Sequence, residues 1–131
     1  KNGILLSKFN QDKKIKKFES KINFILADDQ LLQKLNTKFL KKKKPTNVLS
    51  FPNDNLRKDR VKFLGEVFLA YETCIKEAKK LNVKNIDRVA HLIVHGTLHL
   101  LGFTHHKREE EKKMNNLETQ TLNSLGIYYY N

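Results

Sequence analysis

Hydrophobic and polar positions change their rhythm several times along this chain, and each change predicts an element. Among residues 1–20, Lys13, Lys14, Lys16 and Lys17 surround Ile15 and Phe18, which predicts an amphipathic helix with a basic, solvated side. Ile4-Leu5-Leu6 before it reads as the remnant of an edge strand. Lys21 to Ala27 is apolar, β-branched and short, the composition of a strand. Asp28-Asp29 then offers a helix cap, and Leu31, Leu32, Leu35 and Phe39 recur at helical spacing as far as Leu40. Pro45 breaks the chain, Asn47 to Phe51 predicts a short strand ended by Pro52, and the polar residues 53–61 predict a loop. Lys62 to Ala70 is the strongest strand pattern. Tyr71 to Leu81 turns helical, with Ile75 and Ala78 on its apolar side, and Asn82 to Asn85 connects it to a helix opening at Ile86 or Asp87. A last helix is expected over Lys107 to Leu125, apolar at Met114, Leu117, Thr121 and Leu125. About five helices and a few strands without a βαβα alternation predict an α+β fold, an α/β sandwich with a small sheet packed against helices.

Composition narrows this picture. A chain of 131 residues makes one domain, 1–131, large enough for a core of its own. Its 39% hydrophobic content includes 8 Phe, too apolar a mixture for a disordered segment. No apolar run approaches the ~20 residues that span a bilayer, and no signal peptide is visible. The chain opens on Lys1 rather than Met, so a start residue or a short segment is expected before it. Cys74 is the one cysteine and cannot form an internal disulfide, which suits a reducing cytoplasm. Within its helical pattern it reads as a core thiol rather than a nucleophile.

Charge adds a partner. A net charge of +12 implies something anionic: RNA, a membrane surface or an acidic protein. No basic amphipathic helix with exposed Trp or Phe stands out, which argues against the membrane. A lysine-rich base composition would give the same total without any partner. Lys41, Lys42, Lys43 and Lys44 form the densest run, readable as a phosphate-binding segment or as a solvated loop.

The candidate chemistry lies in one stretch, His91 to His106, which holds all 5 histidines. His91, His95 and His99 recur every fourth residue and share a helix face. The intervening Leu92, Ile93, Val94, Leu98, Leu100 and Leu101 make the helix apolar nearly all round, hence buried. Gly102 can take the left-handed conformation that stops a helix, so His105 can fold back towards His95 and His99. Three converging imidazoles suit zinc, which leaves a fourth position for water in catalytic sites. A bare HxxxH pair is a weak signal. Here burial makes an unpaired imidazole costly, and a third histidine follows an abrupt helix stop. The sequence is not HExxH: Gly96 stands where a zinc peptidase carries its general base, so a peptidase is disfavoured.

The segment His95-Gly96-Thr97-Leu98-His99-Leu100-Leu101-Gly102-Phe103-Thr104-His105 resembles the H-G-x-L-H-L-x-G-[FY]-D-H motif of the bacterial YbeY family, metal-dependent endoribonucleases of ribosomal RNA maturation. Pro45-Thr46-Asn47-Val48-Leu49-Ser50-Phe51-Pro52 is similar to the family's P-T-[ND]-V-L-S-F-P segment. Leu64-Gly65-Glu66-Val67 looks like its L-G-D-[IV] strand, and the tail with Met114, Leu117-Glu118 and Leu125-Gly126 also matches. The likeness covers about residues 22 to 126.

This resemblance implies a four-stranded mixed sheet with helices packed on it. It implies a zinc-dependent, single-strand-directed endoribonuclease, with His95, His99 and His105 as metal ligands acting through a metal-activated water. Expected partners are single-stranded and ribosomal RNA, the small ribosomal subunit and its assembly factors. Substrate contacts would come from Lys41, Lys42, Lys43 and Lys44 and from Ser50. His91 would be packing or support rather than a ligand, and the side chain of His106 should point elsewhere. Three residues depart from the family. Leu40, five before Pro45, stands where an Arg is usual. Glu66 replaces Asp, and Thr104 replaces the Asp before His105, removing a carboxylate that could orient a ligand. A reading of another class is therefore carried along: a ribosome-assembly or RNA-binding factor with a structural metal and little nuclease activity. A fourth protein ligand would favour it.

Overall fold

The structure, a computed structural model, describes residues 19–40, 46–53 and 61–129. Its elements are β1 (Glu19–Ala27), α1 (Asp29–Leu40), β2 (Val48–Pro52), β3 (Val61–Ala70), α2 (Tyr71–Leu81), α3 (Asn85–Leu100) and α4 (Arg108–Ser124). The fold is α+β. Among the described residues the sheet has three strands; α1, α2 and α3 pack on it, and α4 packs against α3. The strand expected at Ile4-Leu5-Leu6 and the helix around Ile15 lie outside the described residues, as do the lysines 41–44.

Strand β3 is central, with the order β1-β3-β2. β2 pairs with it antiparallel, Ser50 opposite Val67, and β1 pairs with it parallel, Phe24 opposite Val67. The parallel pair requires a crossover, which α1 supplies. Asp28 caps that helix as its sequence suggests, its Oδ1 accepting from Leu31 N–H at 2.8 Å. Pro52 is tolerated in β2 because among the described residues the strand is an edge, where a missing N–H disrupts least.

Alternation along β3 separates two apolar layers. Val67 and Leu69 face α3 and pack with Cys74, Leu92 and Leu100. Ala70 faces α1 and packs with Leu32 and Leu49, with Phe68 at the margin. Glu66, two residues before Phe68, therefore lies on the α1 face, away from the histidine helix. The register carries the same parity into β2, so Val48 and Ser50 point at α3.

Candidate metal centre

Helix α3 meets the sheet along Leu92, Gly96 and Leu100, a buried row at i, i+4 and i+8. His91, His95 and His99 form the adjacent row, one residue round, and are half-buried at the edge of the covered face. Gly96 sets how closely the helix sits. A Cβ there would stand 2.7 Å from Val67 Cγ1 and 3.1 Å from Ser50 Oγ. The position that holds a general-base Glu in a zinc peptidase thus points into the sheet and has no room for a side chain.

The helix ends as the sequence suggests. Gly102 adopts φ of +99°, Gly102 N–H donates to His99 O at 3.0 Å, and Phe103 N–H donates to Leu98 O at 3.0 Å. The reversal carries His105 back over the last turn. The ligand-type nitrogens of His95, His99 and His105 all lie within 4.8 Å of one another.

Hydrogen bonds fix which nitrogen of two rings is free. His99 Nδ1 lies 2.9 Å from Phe103 O, and His95 Nδ1 lies 2.7 Å from Glu118 Oε2. A carbonyl and a carboxylate only accept, so both Nδ1 atoms carry a proton, and in the neutral rings that ligation requires both Nε2 atoms keep a lone pair. Those two Nε2 atoms are 3.1 Å apart. Two bare acceptors at that distance repel unless a cation lies between them. Two ligands of one tetrahedral zinc, at about 2.0–2.1 Å each, stand about 3.4 Å apart. The donor set therefore fits a metal. The widest separation involves His105, which is exposed and among the described residues accepts and donates no hydrogen bond through its ring. Burial foremost, then the neighbouring His95, holds the pKa of His99 below the usual histidine value, which favours the neutral ring that ligation requires.

Glu118 joins two histidines. Its Oε1 lies 2.6 Å from His91 Nε2 while its Oε2 holds His95. Burial alone would raise its pKa, but the bonds from His91 and His95 bring it down to about 2, so it is ionised. His91 also reaches Tyr129 Oη at 2.8 Å and stands apart from the three-histidine cluster. His106 is exposed, its ring 6.1 Å from that of His105, and it too stands outside the cluster.

The remaining candidates are placed as follows. Ser50 donates its hydroxyl to Gly96 O at 2.9 Å, beneath the helix. Leu40 closes α1. Thr104 donates to Glu110 Oε1 at 2.7 Å, so the hydroxyl that replaces a carboxylate recruits one from the first turn of α4. Glu118 was not singled out by sequence reasoning as a site residue. A signal existed: Met114, Glu118 and Leu122 recur at i, i+4 and i+8, a carboxylate set in the row that buries Met114 and Leu122.

Fold and site together define a class: an α+β domain that presents three imidazole nitrogens, able to hold a metal ion, from one helix and the turn behind it. The chain matches the family described as Endoribonuclease YbeY over residues 4–126, and it belongs to that family. An endoribonuclease YbeY from Wolbachia sp. subsp. Drosophila simulans is 43% identical over 113 residues, covering 86% of this chain and 74% of the relative. The one from Ehrlichia chaffeensis is 40% identical, covering 88% and 74%. The one from Rhizobium etli is 38% identical, covering 90% and 70%.

Proposed function

We propose that this chain is a zinc-dependent endoribonuclease that cuts single-stranded RNA during ribosomal RNA processing, in the cytoplasm and in contact with the small ribosomal subunit and its assembly factors. The observation that carries the reading is the approach of the Nε2 atoms of His95 and His99 to 3.1 Å, with His105 folded over them. These three are the proposed ligands. Held by these three rings, a zinc ion would supply a Lewis acid able to acidify water and polarise a phosphoryl oxygen.

The chain's own residues do the rest. Glu118 and Phe103 O orient two ligand rings, and helix packing at Gly96 shields one side of the centre from water. Lys41, Lys42, Lys43 and Lys44 neutralise substrate phosphates as point charges. Ser50 already donates to Gly96, so it meets substrate as an acceptor, which suits a ribose hydroxyl rather than a phosphate oxygen.

An open coordination position separates this reading from an assembly factor with a structural metal. In support of the enzyme, His91 has both ring nitrogens engaged, with Glu118 and Tyr129, and among the described residues only three histidines converge. The test is single-turnover cleavage of an unstructured RNA by the native protein, a chelator-treated sample and His95→Ala. Cleavage should require both the metal and His95. Cutting by the chelated and His95→Ala samples as fast as by the native protein would assign the activity to a contaminant and put the assembly-factor reading first.

A further inference from the structure

Behind the centre a network of hydrogen bonds joins two helices and the C-terminal tail, with Arg88 Nη1 also 3.5 Å from His91 Nδ1. Its direction follows from its two ends. Arg88 can only donate: it bonds Glu77 Oε1 at 2.8 Å through Nη2 and Tyr129 Oη at 3.2 Å through Nη1. Glu118 presents a separate oxygen to each of two ring nitrogens, His91 Nε2 at 2.6 Å and His95 Nδ1 at 2.7 Å, and a carboxylate so placed accepts from both, so His91 Nε2 carries a proton. In a neutral ring that leaves His91 Nδ1 as an acceptor, and Tyr129 O–H, 2.8 Å away, donates to it. The sequence Arg88 to Tyr129 to His91 to Glu118 is then satisfied in one sense. The second oxygen of Glu118 is left to accept from His95 Nδ1–H.

We infer that Glu118 is the positioning residue of the centre, selecting the Nδ1–H tautomer of His95 and aiming its bare Nε2 at the metal, and that His91 and Tyr129 hold the carboxylate in that role. The inference rests on the metal-centre reading given above and adds to it a residue that touches neither metal nor RNA. The geometry is specific. One carboxylate receives two imidazoles on its two separate oxygens, so neither ring can rotate without giving up its bond. The negative charge also raises the basicity of the ligand ring and offsets part of the charge of a bound dication.

Glu118→Gln makes the inference testable with almost no change of shape. An amide has one oxygen and one NH2, so it cannot accept at both of the positions where the carboxylate oxygens now meet the two imidazole N–H groups. At least one of the two rings must move its proton to the other nitrogen. Two measurements follow. The first is nitrogen-15 NMR of the histidine rings in metal-free protein at a pH where they are neutral. Native His95 should be protonated at Nδ1, and in Glu118→Gln either His95 or His91 should change tautomer. The second is zinc affinity by competition with a chelator, which should weaken about 10–100-fold in Glu118→Gln. His91→Phe, which removes one support of the carboxylate, should give a smaller loss.

A native His95 protonated at Nε2, or unchanged zinc affinity in Glu118→Gln, would overturn the inference. The tautomer is read without metal, so it decides the inference even if the variant does not fold. Failure of the native protein to bind zinc would instead overturn the metal-centre reading, and the inference with it.

Discussion

Ser50 donates its hydroxyl hydrogen bond to the backbone carbonyl of Gly96 across 2.9 Å, tying the histidine helix to the second strand of the sheet. The contact exists because Gly96 has no side chain: a Cβ would meet Val67 Cγ1 at 2.7 Å and Val48 Cγ2 at 3.3 Å. Replacing Gly96 by Ala gains about 1 kcal/mol of helix propensity. It also forces an extra carbon into a closed contact, a strain of about 1–3 kcal/mol. The net expectation is destabilisation of about 1 kcal/mol, read as a lower urea midpoint, and loss of the Ser50 bond. Gly96→Glu should give no folded protein. A soluble, active Gly96→Glu chain would show that the helix does not sit this close.

Metal retention should follow the rings that converge. Purified protein is expected to hold about one zinc per chain by elemental analysis; His95→Ala and His99→Ala should lose it, and His91→Ala should keep it. Ligand rings must be neutral, so affinity should fall as the pH drops through about 6.5. The lowered pKa of His99 has a matching sign in the metal-free chain. The unfolded state then binds more protons than the folded one, so stability falls on acidification through the histidine range. Full occupancy in His99→Ala would remove the site.

The lysine run should show itself in salt. If Lys41 to Lys44 contact phosphates, the logarithm of single-strand affinity should fall with the logarithm of salt concentration by about 0.7 per phosphate neutralised. Changing all four to Ser should flatten that slope and weaken unrelated RNA sequences alike. An unchanged slope would make the run a solvated loop.

Leu40 offers a gain-of-function test. A charged donor aimed at a transition state is worth ~10²–10³ in rate, whereas ground-state binding spread over many lysines depends little on any one of them. Leu40→Arg should therefore raise the single-turnover cleavage rate more than it tightens binding. Equal changes in both would mean the residue only binds.

Cys74 should be inert. It is fully buried between β3 and α3, and burial foremost, with Glu77 adding to it, raises its thiol to about 11. Alkylation at pH 8 should wait for unfolding, as followed by mass spectrometry with and without urea. Rapid labelling of the native chain would place the thiol at the surface.

Local features were readable from the sequence, and contacts between elements were not. The histidine helix, its stop at Gly102 and the return of His105 all depend on neighbours within a few residues, so spacing alone specified them. Helix α2 spans Tyr71–Leu81 as expected for the same reason. On α4 the expected apolar row was Met114, Leu117, Thr121 and Leu125, whereas the fully buried residues are Met114 and Leu122, with Glu118 in line between them. Which face of α4 turns inward is decided by where α3 lies, and nothing local encodes that. Glu118 was hidden by this shift of face. Ser50 was tied to substrate by the resemblance, and its bond to Gly96 depends on strand parity across the sheet, which only the register reveals.

The three converging histidines come from eleven consecutive residues, His95 to His105. Unfolding does not scatter them: the denatured chain keeps the same short chelating segment and competes for zinc. A ligand that also binds the unfolded state stabilises less than its affinity for the native state suggests. Saturating zinc should thus raise the melting temperature by less than the native dissociation constant alone would require. Glu118 lies 13 residues beyond His105 and on another helix, so it joins the centre only on folding. The share of zinc affinity that couples to stability is the share that this carboxylate and the burial of α3 provide, and a chelator should leave the protein folded where it would unravel a zinc finger.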